Sequence, residues 1–182
     1  MFRRWMAHPR SIGAIVPSSA RLAQAMARTL RAEGALGMPG AVIELGGGTG
    51  VVTDALLAQG VPAERLIVLE RDPFFAALLN QRFPGIRVFQ ADAEHLGQIL
   101  AERGVDQVAA IVSSLPLLAM AKPVRQRIAR ECATVLQHGP LIQFTYGPGS
   151  PLPYKTVGLG GRAVRRVLRN VPPATIWLYR RA

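Results

Sequence analysis

Short apolar runs alternate with amphipathic stretches along most of this chain, and their spacing predicts alternating strands and helices. SSARLAQAMARTLRAEG, from Ser18, repeats its apolar positions every three or four residues. It predicts a helix capped by Ser18 or Ser19 and stopped at Gly34. AVIEL (41–45), RLIVLE (65–70) and IRVFQAD (86–92) are short apolar runs that predict buried strands. Between them GTGVVTDALLAQG turns into a helix, and DPFFAALLNQRFPG makes another that closes at Pro84-Gly85. The alternation continues through the helix EHLGQILAERG, the strand and loop VDQVAAIVSSLPL (105–117), and the helix KPVRQRIARECATVLQHG, with Pro123 near its start. The strand PLIQFTYG (140–147) follows. After the loop PGSPLPYKTVGLGG, the runs RAVRRVLRN and ATIWLYRR read as adjacent strands joined by VPP. Arg162, Arg165, Arg166 and Arg169 have helical spacing, but the hairpin pattern around them makes this run a strand with an exposed basic edge. The whole predicts an α/β fold, with a mostly parallel seven-stranded sheet, a C-terminal antiparallel hairpin and helices on both faces.

Composition narrows the class. A chain of 182 residues accommodates one full α/β domain and not two. Hydrophobic residues at 49% and charged ones at 18% supply a sizeable core and exclude a disordered chain. The single cysteine, Cys132, lies in a helical stretch and reads as a buried thiol, so no disulfide framework is possible. His8, His95 and His138 lack metal-ligand spacing, so no metal is expected. The longest uncharged apolar stretch, AAIVSSLPLLAMA (109–121), is too short to span a membrane and is broken by Pro116. The basic start is not followed by the apolar run of a signal peptide. A net charge of +11 favours a polyanionic partner, either nucleic acid or anionic lipid.

The chemistry concentrates in VIELGGGTGVVT. Gly46, Gly48 and Gly50 alternate at the end of the first strand, where a tight turn brings backbone close to a ligand. No Lys-Ser/Thr pair follows, which excludes a phosphate-gripping Walker loop. Glu44 at the loop entrance would repel a pyrophosphate and suits an ammonium or sulfonium group. Glu70, followed by Arg71, ends the second strand, where a carboxylate can take both hydroxyls of a ribose. Asp92 and Ala93 end the third, placed to read an adenine edge.

Together the E-L-G-x-G-T-G motif, the strand-two acid and the strand-three Asp-Ala resemble the class I S-adenosylmethionine-dependent methyltransferases, over about Val42 to Gly147. That resemblance implies a Rossmann-like sheet, S-adenosylmethionine as cofactor and S-adenosylhomocysteine as product. Methyltransferases acting on nucleic-acid bases carry an Asn/Asp-Pro-Pro-Tyr type motif after strand four. This chain has Ser113-Ser114-Leu115-Pro116-Leu117, which keeps the proline and lacks both the amide and the stacking ring. SIGAIVPSS, S-L-P-L and QFTYGPGSPLP look instead like the bacterial phospholipid N-methyltransferases, over nearly the whole chain. The resemblance implies stepwise methylation of phosphatidylethanolamine towards phosphatidylcholine; close relatives act on ornithine lipids. An RNA adenine methyltransferase is the alternative, permitted by the net charge and disfavoured by the strand-four loop.

An amine acceptor with a pKa of about 10 must lose a proton before it attacks the donor methyl. Tyr146 is the first candidate to hydrogen-bond that amine or to face the growing cation. Ser113 and Leu115 are the other expected acceptor-site residues, with Ser113 and Ser114 small enough to leave room for successive methyl groups. The family resemblance puts Ser18 and Ser19 against the methionine end of the cofactor. Arg10, Lys155 and Arg180 are candidates for the lipid phosphate. In MFRRWMAHPR, a helix would gather Phe2, Trp5 and Met6 on one face and leave Arg3 and Arg4 outside it, as an interfacial segment needs. Residues 1–16 are therefore expected to touch the membrane and 17–182 to form the methyltransferase domain. A monomer, cytoplasmic and peripheral on the inner leaflet, with anionic lipids and not nucleic acid as partners, is the resulting expectation.

Overall fold

The computed structural model describes residues 20–147, 149–168 and 172–182. Seven strands form one sheet in the order β3-β2-β1-β4-β5-β7-β6. They are β1 (Ala41–Leu45), β2 (Leu66–Glu70), β3 (Arg87–Gln90), β4 (Val108–Ser113), β5 (Leu141–Thr145), β6 (Leu159–Val167) and β7 (Ala174–Arg181). The first five pair in parallel, while β7 runs antiparallel to both β5 and β6. The chain order reverses between β1 and β4, so their carboxyl ends part and leave a crevice there. The expected fold class is what the chain adopts.

The helices are α1 (Ala20–Ala32), α2 (Val51–Ala58), α3 (Pro73–Arg82), α4 (Leu96–Glu102) and α5 (Lys122–Val135). Val42, Val68, Val112, Ile142 and Ile176 face one core layer, which the apolar stripes of α1, α2 and α3 cover through Leu22, Met26, Leu30, Leu56 and Leu79. Their neighbours Ile43, Ile67, Ile111 and Leu141 face the other layer, under Leu96, Ile128 and Cys132 of α4 and α5. Both sheet faces are therefore buried, which is why the central strands read as continuous apolar runs. Cys132 is buried as expected, and that burial pushes its thiol up to about 12.

Two local outcomes refine the sequence reading. The stretch expected to open α4 begins as a 3-10 turn (Ala93–His95), because the Asp92 carboxylate caps it by accepting from the Glu94 N–H at 3.0 Å. The arginine-rich run is indeed strand β6, at the sheet edge, with Arg162, Arg165 and Arg166 exposed. Ser18, Ser19 and the segment assigned to the membrane lie outside the described residues.

Candidate active site at the carboxyl edge of the sheet

The glycine loop leaves β1 and enters α2 with Gly46, Gly48 and Gly50 all at positive φ. Gly50 is the N-cap of α2, and a Cβ there would stand 2.5 Å from the Phe83 ring, so no other residue fits. A Cβ at Gly48 would meet nothing within 4 Å, which leaves that side of the loop open to a ligand.

Two glutamates support this loop from different sides. Glu70, at the end of β2, accepts from the Gly48 N–H on Oε2 and from the Asp72 N–H on Oε1, both at 2.8 Å. Each oxygen retains a second lone pair. Glu44, on β1, is fully buried and accepts from the Thr53 hydroxyl at 2.8 Å. Its other oxygen, Oε1, is buried and accepts no hydrogen bond from the described residues. Burial pushes the Glu44 carboxyl up to about 8; the Thr53 hydrogen bond opposes this and the nearby Glu70 charge adds to it. A buried acceptor with spare capacity, a half-buried carboxylate and an open glycine turn fit a ligand that carries both a cation and hydroxyl groups.

Asp92 lies at the adjacent strand end. Its Oδ1 is committed to the cap, and its Oδ2 faces Arg71 across 3.5 Å, an exposed pair of small energetic weight. Ala93 is buried beside it.

The other half of the site stands across the crevice. Ser113 is buried at the end of β4, in register with Leu45 on one side and Gln143 on the other. Its hydroxyl receives a long contact from the Leu115 N–H, at 3.4 Å. Leu115 is the hinge between the two halves. Its Cδ2 lies 2.9 Å from where a Gly46 Cβ would be, and it also lines a cavity of about 180 Å³. The cavity continues along Pro116–Ala119 and from Phe144 to Gly147, and among the described residues no charged side chain lines it. Tyr146 forms one wall, edge-on to Phe144 at 5.3 Å between ring centroids. The structure thus brings Glu44, the glycines, Glu70, Asp92, Ser113, Leu115 and Tyr146 to one edge of the sheet.

Two proposed phosphate ligands do not join them. Arg180 pairs with Gly160 near the far end of β7, and its guanidinium bonds the Glu33 carboxylate at 3.0 Å and the His138 carbonyl at 3.0 Å. Because β7 runs antiparallel to β5, this places Arg180 at the amino edge of the sheet, opposite Tyr146. Lys155 precedes β6, whose first residue pairs with Arg181, so it lies towards the same wrong edge. Arg10 lies outside the described residues.

Sequence reasoning missed Thr53 and Gln143. Thr53 underlies Glu44 from the first turn of α2. Gln143 is fully buried, donating to the carbonyls of Leu115 at 3.0 Å and Phe144 at 2.9 Å, and so pins the strand-four loop to β5. The available signal was one amide inside the apolar run PLIQFTY.

Comparison with known proteins adds family evidence. A family model described as a methyltransferase domain matches residues 42–139, from β1 to just before β5. The ornithine lipid N-methyltransferase of Singulisphaera acidiphila is 33% identical over 97% of this chain and 92% of its own length. Among solved structures, the 1,6-didemethyltoxoflavin-N1-methyltransferase of Burkholderia thailandensis superposes with a TM-score of 0.69 at 16% identity, over 100% of this chain and 87% of that one. TrmN from Thermus thermophilus gives a TM-score of 0.68 at 20% identity, over 88% of this chain. The chain spans about half of TrmN, 48% of its length. At these identities the two structural likenesses speak for the fold.

Proposed function

The chain belongs to the methyltransferase-domain family, and we propose that it N-methylates the headgroup amine of a membrane lipid, with an ornithine-type lipid as first substrate. S-adenosylmethionine supplies the methyl group when bound. Gly46, Gly48 and Gly50 give it backbone access, Glu70 offers lone pairs to its ribose, and Glu44 provides a buried carboxylate for its cationic end. Asp92 and Ala93, at the end of β3, are the residues that would hold its adenine.

The observation that carries the acceptor reading is the cavity beside Leu115, lined by Leu, Pro, Phe, Thr and Tyr and, among the described residues, by no charged side chain. Such a lining favours the neutral form of an amine over its ammonium, and the neutral form is the nucleophile. A flipped nucleic-acid base would find neither the amide nor the stacking ring after strand four. Tyr146 holds the amine by its hydroxyl and faces the product cation with its ring. Ser113 and Leu115 set the position of the acceptor relative to the glycine loop. A lipid acceptor requires contact with a membrane surface, and the net charge of +11 suits an anionic one.

The test incubates the purified protein with methyl-labelled cofactor and, in separate reactions, ornithine lipid, phosphatidylethanolamine and bacterial RNA. Label is expected in ornithine lipid, and label in phosphatidylethanolamine alone would move the headgroup assignment to ethanolamine. Label confined to RNA would overturn the lipid reading. In the same assay Tyr146→Phe is expected to lower turnover severalfold while calorimetry shows cofactor affinity unchanged. Wild-type rates with every headgroup would reduce Tyr146 to a wall of the cavity.

A further inference from the structure

Among the described residues four large apolar side chains are exposed: Phe74, Leu118, Tyr146 and Leu168, the last at 66%. Their places in the fold are not scattered. Phe74 lies in the first turn of α3, directly after β2, and Leu118 in the 3-10 turn after β4. Tyr146 is the first residue past β5, and Leu168 the first past β6. The end of β6 belongs to the same edge, because Val167 pairs with Ala174, next to Thr175, which pairs with Thr145 at the end of β5. All four therefore stand on the edge that holds the glycine loop and the acceptor cavity. The strand order sets β2 and β6 five strand spacings apart, a span of about 24 Å. A single exposed apolar residue is ordinary, but four confined to the site's own edge form a rim.

The charges on this edge follow a complementary division. Arg71, Lys122, Arg165 and Arg166 are exposed there. Most acids of this edge are engaged inward: Glu44 is buried, Glu70 holds two backbone N–H groups, Asp72 caps α3, Asp92 caps the turn after β3, and Glu94 pairs with Arg127. Asp54, in the first turn of α2, is exposed and stands 4.0 Å from the Arg82 guanidinium. The edge thus presents separated apolar points interleaved with cations.

We propose that this rim is the face on which the protein lies against a bilayer containing anionic lipid, with the active-site crevice opening directly onto the headgroups. The proposal rests on the lipid-acceptor reading and names the surface that serves it. A bilayer interface uses both components of the rim, since apolar side chains enter the acyl boundary while arginines and lysine meet phosphates. A nucleic-acid backbone would use the cations and gain nothing from four apolar points spread over this distance. Docking by this edge brings the headgroup amine to the Leu115–Tyr146 cavity without withdrawing the acyl chains from the membrane.

The test uses Phe74→Ser with Leu168→Ser, neither of which lines the crevice, and a second variant, Arg165→Glu with Arg166→Glu. Sedimentation is measured with vesicles of phosphatidylglycerol and phosphatidylcholine, and with phosphatidylcholine alone. The apolar variant is expected to lose at least tenfold in affinity for the mixed vesicles and to lose methylation of vesicle-embedded lipid in proportion. Its cofactor affinity and its rate on a monomeric short-chain lipid should stay at wild-type values. The charge variant should lose affinity for the anionic vesicles and little for the neutral ones. Undiminished vesicle binding by both variants would overturn the docking face. If wild type methylates no lipid yet binds vesicles through Phe74 and Leu168, the docking face stands and the acceptor assignment fails.

Discussion

Replacing Glu44 with Gln is expected to flatten the pH dependence of folding stability between about pH 4.5 and 8 and to remove the part of the pH dependence of cofactor binding that Glu44 contributes. Burial holds the Glu44 carboxyl at about 8 in the folded chain, against 4.5 for the same group in water. Below pH 4.5 the group is protonated both folded and unfolded, and its stabilising contribution is fully present. As pH rises, the unfolded chain releases the proton while the folded one retains it, so stability falls until pH passes about 8 and then levels off. At about 1.4 kcal/mol per pH unit this amounts to a loss of a few kcal/mol across the window. The amide of the Glu44→Gln variant would keep an acceptor for the Thr53 hydroxyl and carry no proton to release, so the variant should be the more stable protein at pH 8. Denaturant titrations at several pH values check this; parallel curves for wild type and Glu44→Gln would show that the carboxyl does not titrate in this range.

The same group links binding to protons. If the cationic cofactor requires ionised Glu44, wild-type affinity should rise about tenfold per pH unit up to pH 8 and then plateau. The α-amino group of the cofactor titrates in a similar range, so the informative quantity is the ratio of wild-type to Glu44→Gln affinities at each pH, from which that titration cancels. A constant ratio would place the cofactor's cation away from Glu44.

The frame of this protein was legible in its sequence because each central strand is buried on both faces and therefore appears as a mostly apolar run, as in LIVL of β2 and VAAIV of β4. The glycine loop was legible for a related reason: its backbone enters the positive-φ region three times, and glycine adopts that region at no steric cost. Side chains that bond across the chain were not. Arg180 and Glu33 are 147 positions apart, and nothing local to either marks the other. The misplacement of Arg180 as a phosphate ligand has a simpler cause. An antiparallel β7 sends its last residues to the amino edge, and the hairpin that produces this was itself read correctly. The exposure of Phe74, Leu118 and Leu168 was also invisible, since apolar residues at strand ends read as core until the loops are folded.

Glu70→Ala is expected to weaken cofactor binding between tenfold and a hundredfold or more, on the order of 1.5–3 kcal/mol for charge-assisted hydrogen bonds. Glu70 touches two backbone segments at once, Gly48 in the glycine loop through Oε2 and Asp72 at the start of α3 through Oε1. Alanine removes both acceptors and the two lone pairs left for ribose hydroxyls, and it frees the Gly48 turn, where φ is 51°. Glu70→Gln separates these effects. An amide has one acceptor oxygen where the carboxylate has two, so it can satisfy Gly48 or Asp72 but must turn its NH2 towards the other N–H. The Gln variant should therefore bind nearly as poorly as the Ala variant, although its size is that of the wild-type residue. Calorimetry with S-adenosylhomocysteine measures the affinity, and hydrogen exchange at the Gly48 and Asp72 amides measures the loop. Both amides should be protected in wild type and exchange faster in either variant. Unchanged affinity with faster exchange would make Glu70 a loop anchor and remove it from the ribose site; unchanged exchange with lost affinity would place its weight on the cofactor alone.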